Sequence, residues 1–340
     1  MAAPNPLLPP VTSAVWPSSV SDGARMQSSF RPNPIATILQ MYTVIILRAS
    51  LRLRRRRWRT ATMPFKPEAG QFYRMPIFFG PAPGPRQWPQ GRDFDFRETP
   101  RMKMIGVRML TNADQLKAML PDRFELRGPP VITVEANYMT EIGWLAGRGY
   151  NLCDVKFEVT FHGKDGPVNG TLVLVRFENL ADPILSGREE LGHNKIYCEI
   201  PEPRLLDGRR STRLGWMETP FLDMAVWDLG PLPEGAGPPF EPDHQGMLSY
   251  KYIPATGDWG TADVEYVTLS PHTELRKNLS INSLQVGKGE FAFRRATWEE
   301  LPTLYHIVNA FAELENHGFQ GAHMIETIGG SSLAETRRID

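Results

Sequence analysis

Two runs of alternating and β-rich residues, joined by a short glycine-containing turn, constrain this chain more than anything else in it. In Val155-Lys-Phe-Glu-Val-Thr-Phe161, the residues Val155, Phe157, Val159 and Phe161 fall on one side of an extended strand. After His162-Gly-Lys-Asp-Gly166 comes Gly170-Thr-Leu-Val-Leu-Val-Arg-Phe177, a second β-rich run. So short a connection joins neighbours that run in opposite directions, which predicts an antiparallel hairpin. Met102–Leu110 and Val131–Met139 also read as extended. Met247–Ile253 and Ala262–Leu269 read as a second pair across Pro254-Ala-Thr-Gly257. Asn112–Leu120 carries Ala113, Leu116, Met119 and Leu120 at helical spacing, with Asn112 as N-cap and Pro121 as the stop. Thr297–Leu314 predicts a longer helix, with Leu301, Leu304, Tyr305, Val308, Phe311 and Ala312 on one side. No βαβ rhythm or internal repeat is visible. The economical fold class is α+β: one domain on an antiparallel sheet or closed barrel, with a few helices.

Charge divides the chain in two. Residues 1–62 hold nine arginines and a single acid, Asp22. The whole chain is neutral, so the remainder is acidic. Residues 1–34 are rich in Pro, Ser and Asn and read as disordered. The apolar run Ile35–Leu47 is shorter than a spanning helix requires, and it precedes the basic cluster instead of following it. Membrane insertion is therefore not expected. The head reads as a basic extension, dispensable or a mitochondrial targeting segment, and the domain is taken as 63–340. Its first stretch, with Phe79-Gly-Pro-Ala-Pro-Gly-Pro85, is a turn-rich arm. Cytoplasmic residence is expected, with mitochondria as the alternative. Zero net charge argues against a nucleic-acid partner. Two cysteines, Cys153 and Cys198, suit a reducing compartment and exclude a disulfide scaffold.

Most familiar catalytic signatures are missing: there is no G-x-S-x-G elbow, no P-loop and no H-x-x-x-H pair. The segment that stands out is Gly187-Arg-Glu-Glu-Leu-Gly-His-Asn-Lys-Ile-Tyr197. Two glycines permit unusual backbone angles or close approach. A charged triplet lies between them, and a lysine follows beside Ile196 and Tyr197. A lysine in apolar surroundings loses solvation of its ammonium, so its pKa falls. The neutral amine can then attack a carbonyl to form a Schiff base. On residues alone, a surface lysine in a hairpin loop fits as well.

Gly187-Arg-Glu-x-x-Gly192-x-x-Lys195 resembles the G-R-E-x-x-G-x-P-K-K motif of the acetoacetate decarboxylase family. Ala113–Pro121, Pro130–Glu135, the Tyr150 to Gly163 spacing and Met247-Leu-x-x-Lys251-x-Ile253-Pro254-x-x-Gly257 resemble further family segments in the same order. The likeness runs from about Met102 to Thr327. It implies a cone-like, mostly antiparallel β-barrel around a buried pocket, a homo-oligomer, a small-molecule β-keto acid as partner and no cofactor or metal. Lys195 falls on the Schiff-base lysine, and Glu135 on one pocket glutamate. Leu152 stands where the second glutamate is expected, and Ile196 replaces a second lysine. His193-Asn194 replaces an aromatic-Pro pair, so the loop needs support other than a fixed φ. The family's carboxylate-facing arginine falls near Lys103, with Met102 and Arg101 adjacent.

The reaction implied is decarboxylation through an imine, releasing carbon dioxide and a ketone. An apolar pocket lined by Leu152 and Ile196 would suit a keto acid larger than acetoacetate, such as a polyketide-derived chain. Two alternatives stay open: a Schiff-base aldolase-dehydratase or cyclase of the same family, and a non-catalytic ligand-binding barrel.

Overall fold

In the computed structural model, residues 95–234, 243–331 and 333–340 are described, with the single positions 69 and 75. The basic head and most of the proline-rich arm lie outside them. All that follows concerns the unit Lys66–Asp340.

The strands are β1 (Arg101–Leu110), β2 (Phe124–Leu126), β3 (Val131–Ile142), β4 (Arg148–Gly163), β5 (Gly166–Glu178), β6 (Lys195–Tyr197) and β7 (Arg204–Leu206). They continue with β8 (Arg209–Trp216), β9 (Thr219–Pro231), β10 (Gly246–Pro254), β11 (Ala262–Pro271), β12 (Ser280–Phe293), β13 (Phe319–Ile328) and β14 (Arg337–Ile339). The α-helices are α1 (Ala113–Lys117), α2 (Ala181–Ser186), α3 (His272–Arg276) and α4 (Tyr305–Ala312).

All strands belong to one sheet, in the order β14-β11-β10-β5-β4-β3-β1-β13-β12-β9-β8-β7, with β2 added on β4 and β6 on β5. Both expected hairpins are present, as β4–β5 and β10–β11, and both are antiparallel. Val155, Phe157, Val159 and Phe161 share a buried face, as the alternation requires, and they join Phe177, Phe221 and Leu222 in the core. Full burial of side chains of this size contributes about 1.5–3 kcal/mol each.

Two expectations need correction. The sheet does not close into a barrel. Its outermost strands, β7 and β14, are three residues each and carry Arg204, Arg337 and Arg338. Short, charged edges resist the pairing that closure needs. The pairing is mostly antiparallel, as expected, with β5 also pairing in parallel with β10 over Gly170–Leu172 and with β6 over Arg176–Glu178. Reaching β6 needs a crossover, and α2 and the turns after it supply one. Second, the helix expected over Thr297–Leu314 is α-helical only in α4. Pro302 cannot donate to the ladder and clashes with the preceding turn, so residues 297–304 stay as turns. The apolar stripe survives, since Leu301, Leu304, Val308 and Phe311 are buried. Asn112 does cap α1, accepting from the Asp114 and Gln115 amides. Cys153 and Cys198 are free and buried. Among the described residues no helix is long and apolar enough to cross a membrane.

Candidate functional site

The crossover from β5 to β6 builds the site. Residues Gly187–Leu191 form a single π-type turn after α2, a distortion that recurs at functional positions. Gly192 ends it with φ 73°, a left-handed value that glycine adopts without strain. Gly187 has ordinary helical angles and is required for a different reason. A Cβ there would lie 2.3 Å from Lys195 Cε, so the lysine stem runs directly across this glycine. Gly187→Ala is therefore expected to push the Lys195 amine out of place and, if that amine forms imines with keto acids, to cut imine formation at least about tenfold, with thermal stability as the control for folding. Unchanged imine formation would show that the lysine does not depend on this close approach.

Other bonds hold the turn. Arg188 Nη1 donates to the Lys195 carbonyl at 2.9 Å, and Lys251 Nζ donates to the Glu189 carbonyl at 2.6 Å. Asn194 supplies the support that proline would have given: its side-chain amide donates to the Val173 carbonyl at 2.9 Å, and its own carbonyl accepts from the Arg176 amide.

Lys195 is 5 % exposed. Its Nζ lies 2.7 Å from Glu178 Oε1 and donates to the Pro183 carbonyl at 2.9 Å. Glu178 is wholly buried, and burial pushes its carboxyl up against the downward pull of the Lys195 ammonium. In such a low-dielectric pair the neutral amine and neutral acid compete with the two ions, because both ions lose hydration.

Register places more ionisable groups beside this pair. His323, Gly106, Glu135, Asp154, Arg176 and Lys195 face one another in turn across β13, β1, β3, β4, β5 and β6. Directly opposed residues share a face of a sheet, so this is a row across the face away from the Val155–Phe161 core. Arg176 holds Asp154 through two bonds, Nε to Oδ1 at 2.6 Å and Nη2 to Oδ2 at 2.7 Å. Its Nη1 is 3.4 Å from His193 Nδ1. At the other end, Glu135 lies 2.7 Å from Lys156 Nζ and 3.2 Å from His323 Nε2. The His323 ring crosses β1 over Gly106, where a Cβ would sit 2.2 Å from it. Burial would raise the Glu135 carboxyl, but Lys156 and His323 outweigh it and hold it well below the usual carboxylate range.

That last shift has a direction in pH. A carboxyl depressed in the fold contributes stability above its ordinary value of 4.5, and the contribution is lost as pH falls below that. Glu178 runs the other way: raised in the fold, it favours folding below 4.5 and loses that contribution as pH rises through its folded value. Unfolding followed between about pH 3 and 7 should show Glu135→Gln losing on the order of 3 kcal/mol at neutral pH, where Lys156 is stranded. The variant's acid limb should be flatter than that of the wild type. Parallel acid limbs would mean that Glu135 is not held ionised.

A family model for acetoacetate decarboxylase matches residues 74–310, more than half of the chain. The chain belongs to the acetoacetate decarboxylase family. No curated protein matches its sequence. Among solved structures, the enduracididine biosynthesis enzyme MppR, complexed with the condensation product of pyruvate and imidazole 4-carboxaldehyde, aligns with a TM-score of 0.52 at 14 % identity, covering 81 % of this chain and 98 % of that one. A structure described as acetoacetate decarboxylase aligns with a TM-score of 0.51 at 12 % identity, covering 72 % of this chain and 91 % of that one. At such identities these likenesses speak to the fold.

Within the family frame, the residues expected at the site divide. Lys195, His193 and Asn194 lie together in the turn. Leu152 is buried and stands opposite Glu178 on β4, so a carboxyl absent at 152 is present one strand away. Glu135 shares the face of Lys195 but sits three strands from it, about 14 Å at the usual strand spacing. Its carboxylate pairs with Lys156 and His323. Lys103 is largely exposed and pairs with Glu326 at 3.5 Å. Ile196 alternates to the other face and packs against the core, so it does not line the lysine. Sequence reasoning missed Glu178, Arg176, Asp154, Lys156 and His323. One signal was available for three of them: Asp154, Lys156 and Arg176 are charges in the middle of otherwise strongly β-forming runs.

Proposed function

We propose that this chain is a Schiff-base-forming decarboxylase of β-keto acids, with Lys195 as nucleophile and Glu178 as its proton partner. The observation that carries the reading is the buried Lys195 amine, 2.7 Å from a buried carboxyl whose pKa burial raises. Glu178 accepts a proton from the Lys195 ammonium, and the amine adds to the ketone carbon. Glu178 returns the proton as water leaves, giving a protonated imine. The imine draws in the electron pair of the C–C bond as carbon dioxide departs. The enamine is then protonated on carbon, and water frees the ketone and the lysine.

Arg176 is the proposed cation for the substrate carboxylate, in the role that the likeness had pointed to near Lys103. It faces Lys195 directly across β5 and β6; Asp154 holds its Nε and Nη2, so Nη1, on the His193 side, is the nitrogen that would meet a substrate carboxylate. A chain larger and more apolar than acetoacetate, of polyketide type, remains the proposed substrate, now on Leu152 alone because Ile196 faces the core.

A second reading, aldol-type condensation, is favoured by the same Glu178. An acid–base group beside the lysine serves condensation and dehydration as well as decarboxylation, and MppR holds the condensation product of pyruvate and an aldehyde.

Borohydride reduction in the presence of a β-keto acid tests the enzyme against a non-catalytic ligand-binding protein of the same fold. The expected result is a mass increment on Lys195 and released carbon dioxide. A trapped adduct without carbon dioxide would select the condensation reading, and no adduct with any keto acid would sink both. Arg176→Met should weaken trapping by a keto acid by about tenfold or more while sparing trapping by its neutral methyl ester. Equal losses for acid and ester would remove Arg176 from carboxylate recognition.

A further inference from the structure

A second concave site lies away from the lysine. It is a cavity of about 420 Å³ lined by His244, Gln245, His272, Thr273, Arg276 and Arg337, with Leu269 as its apolar wall. Four elements contribute: the segment before β10, β11, α3 and the edge strand β14. None of the lining residues is acidic. The nearest carboxylate that the inner histidine meets is Glu158, whose Oε2 is 3.5 Å from His244 Nε2 and which also accepts from Thr171. The neighbouring Asp243 carboxylate is engaged by Arg127 at 2.8 Å and by the Asn169 amide at 2.6 Å.

The two imidazoles stand edge to face, with ring centroids 5.2 Å apart, and Arg276 and Arg337 are exposed on the rim. Burial lowers both histidines; at His244 the Glu158 carboxylate pulls the other way while Arg127 and Arg276 add to the lowering, and at His272 Arg276 and His244 add to it. His244 Nε2 is taken by Thr171 Oγ1 at 2.9 Å, but a concave site with guanidinium forks outside and the His272 imidazole within suits an oxyanion, because arginine donates two parallel bonds to such a group and imidazole adds a third donor. The volume exceeds what one inorganic anion fills and leaves room for a carbon body. We propose that this cavity binds the phosphate group of a small phosphorylated metabolite, at a site separate from the Lys195 turn. The cavity is distinct from the lysine turn: none of the residues that line it belongs to the segment Gly187–Lys195.

Calorimetric titration of the full chain with inorganic phosphate and with an organic monophosphate, at matched ionic strength, tests this. Both should bind, and the organic monophosphate should bind more tightly than free phosphate. Replacing both rim residues, Arg276→Ala with Arg337→Ala, should weaken binding by about tenfold or more. These side chains are exposed, so the fold should persist, with the thermal unfolding temperature as control. Keto-acid trapping at Lys195 should be unchanged in the double variant, which separates failure of this proposal from failure of the Schiff-base reading. Absence of binding at millimolar phosphate, or equal affinity in the double variant, would overturn the site. Loss of phosphate binding in Lys195→Met would also overturn it, by placing the anion at the catalytic turn. Free phosphate binding as tightly as the organic monophosphate would overturn the metabolite assignment.

Discussion

Lys195→Met is expected to abolish both borohydride trapping and carbon dioxide release. Methionine keeps the length and apolar stem that run across Gly187, but it has no amine to form an imine. Losing an enzyme's nucleophile costs on the order of 10⁶ in kcat, so turnover should fall to background. Arginine is a poorer choice, because it adds bulk where Gly187 already lies against the lysine stem. The variant also strands Glu178, which is wholly buried. Breaking a buried ion pair costs about 3–5 kcal/mol when the remaining charge stays ionised. The Glu178 carboxyl is already raised by burial, so here it should take up a proton instead. Lys195→Met should therefore be nearly as stable as wild type at acid pH and lose stability as pH rises. Combining it with Glu178→Gln should remove that pH dependence. A Lys195→Met variant that still releases carbon dioxide at the wild-type rate would end the assignment.

Glu178→Gln should produce the second large effect, with a different signature. Glutamine keeps the shape but cannot take the proton from Lys195 or return it to the departing water. Loss of a positioned acid–base group costs about 10²–10⁴ in rate. Loss of the carboxylate also leaves the buried ammonium without its opposite charge, which lowers the lysine pKa. The acid limb of the trapping profile, where the amine becomes neutral, should therefore move to lower pH while turnover falls. Imine should still form in the variant, slowly, and accumulate relative to product. A merely structural Glu178 would show lost stability with an unmoved pH profile, and that outcome would remove it from the mechanism.

Much of the scaffold was legible because it rests on local rules. Alternation at Val155–Phe161 fixed which side chains enter the core, since a one-residue slip would expose all four. The short turns at 162–166 and 254–257 forced antiparallel neighbours. Asn112 capped α1 because its side chain reaches two amides whatever lies further away. The expected helix over Thr297–Leu314 is shortened by a local rule too, since Pro302 interrupts the helical spacing before α4.

The partners of the lysine could not be read in the same way. The motif placed Lys195 after a glycine-bounded turn, but which strand it would lie beside depended on a parallel pairing between β5 and β6 across a crossover. That pairing sets Lys195 opposite Arg176, brings Glu178 within 2.7 Å of its amine and turns Ile196 toward the core. Alternation along three residues cannot tell which neighbour each face will meet. The same holds for Glu135, whose partners Lys156 and His323 arrive from β4 and β13 by register alone. The sequence by itself determined β1, β3, β4, β5, β10 and β11 and the inward face of β4, because each follows from chain geometry within a few residues, and the motif's likeness to the family singled out the turn and Lys195; β8, β9, β12 and β13 were not legible in it. Only the tertiary structure decided which acid meets that lysine, which cation faces it and that the sheet stays open, because these depend on registry between strands far apart in the chain.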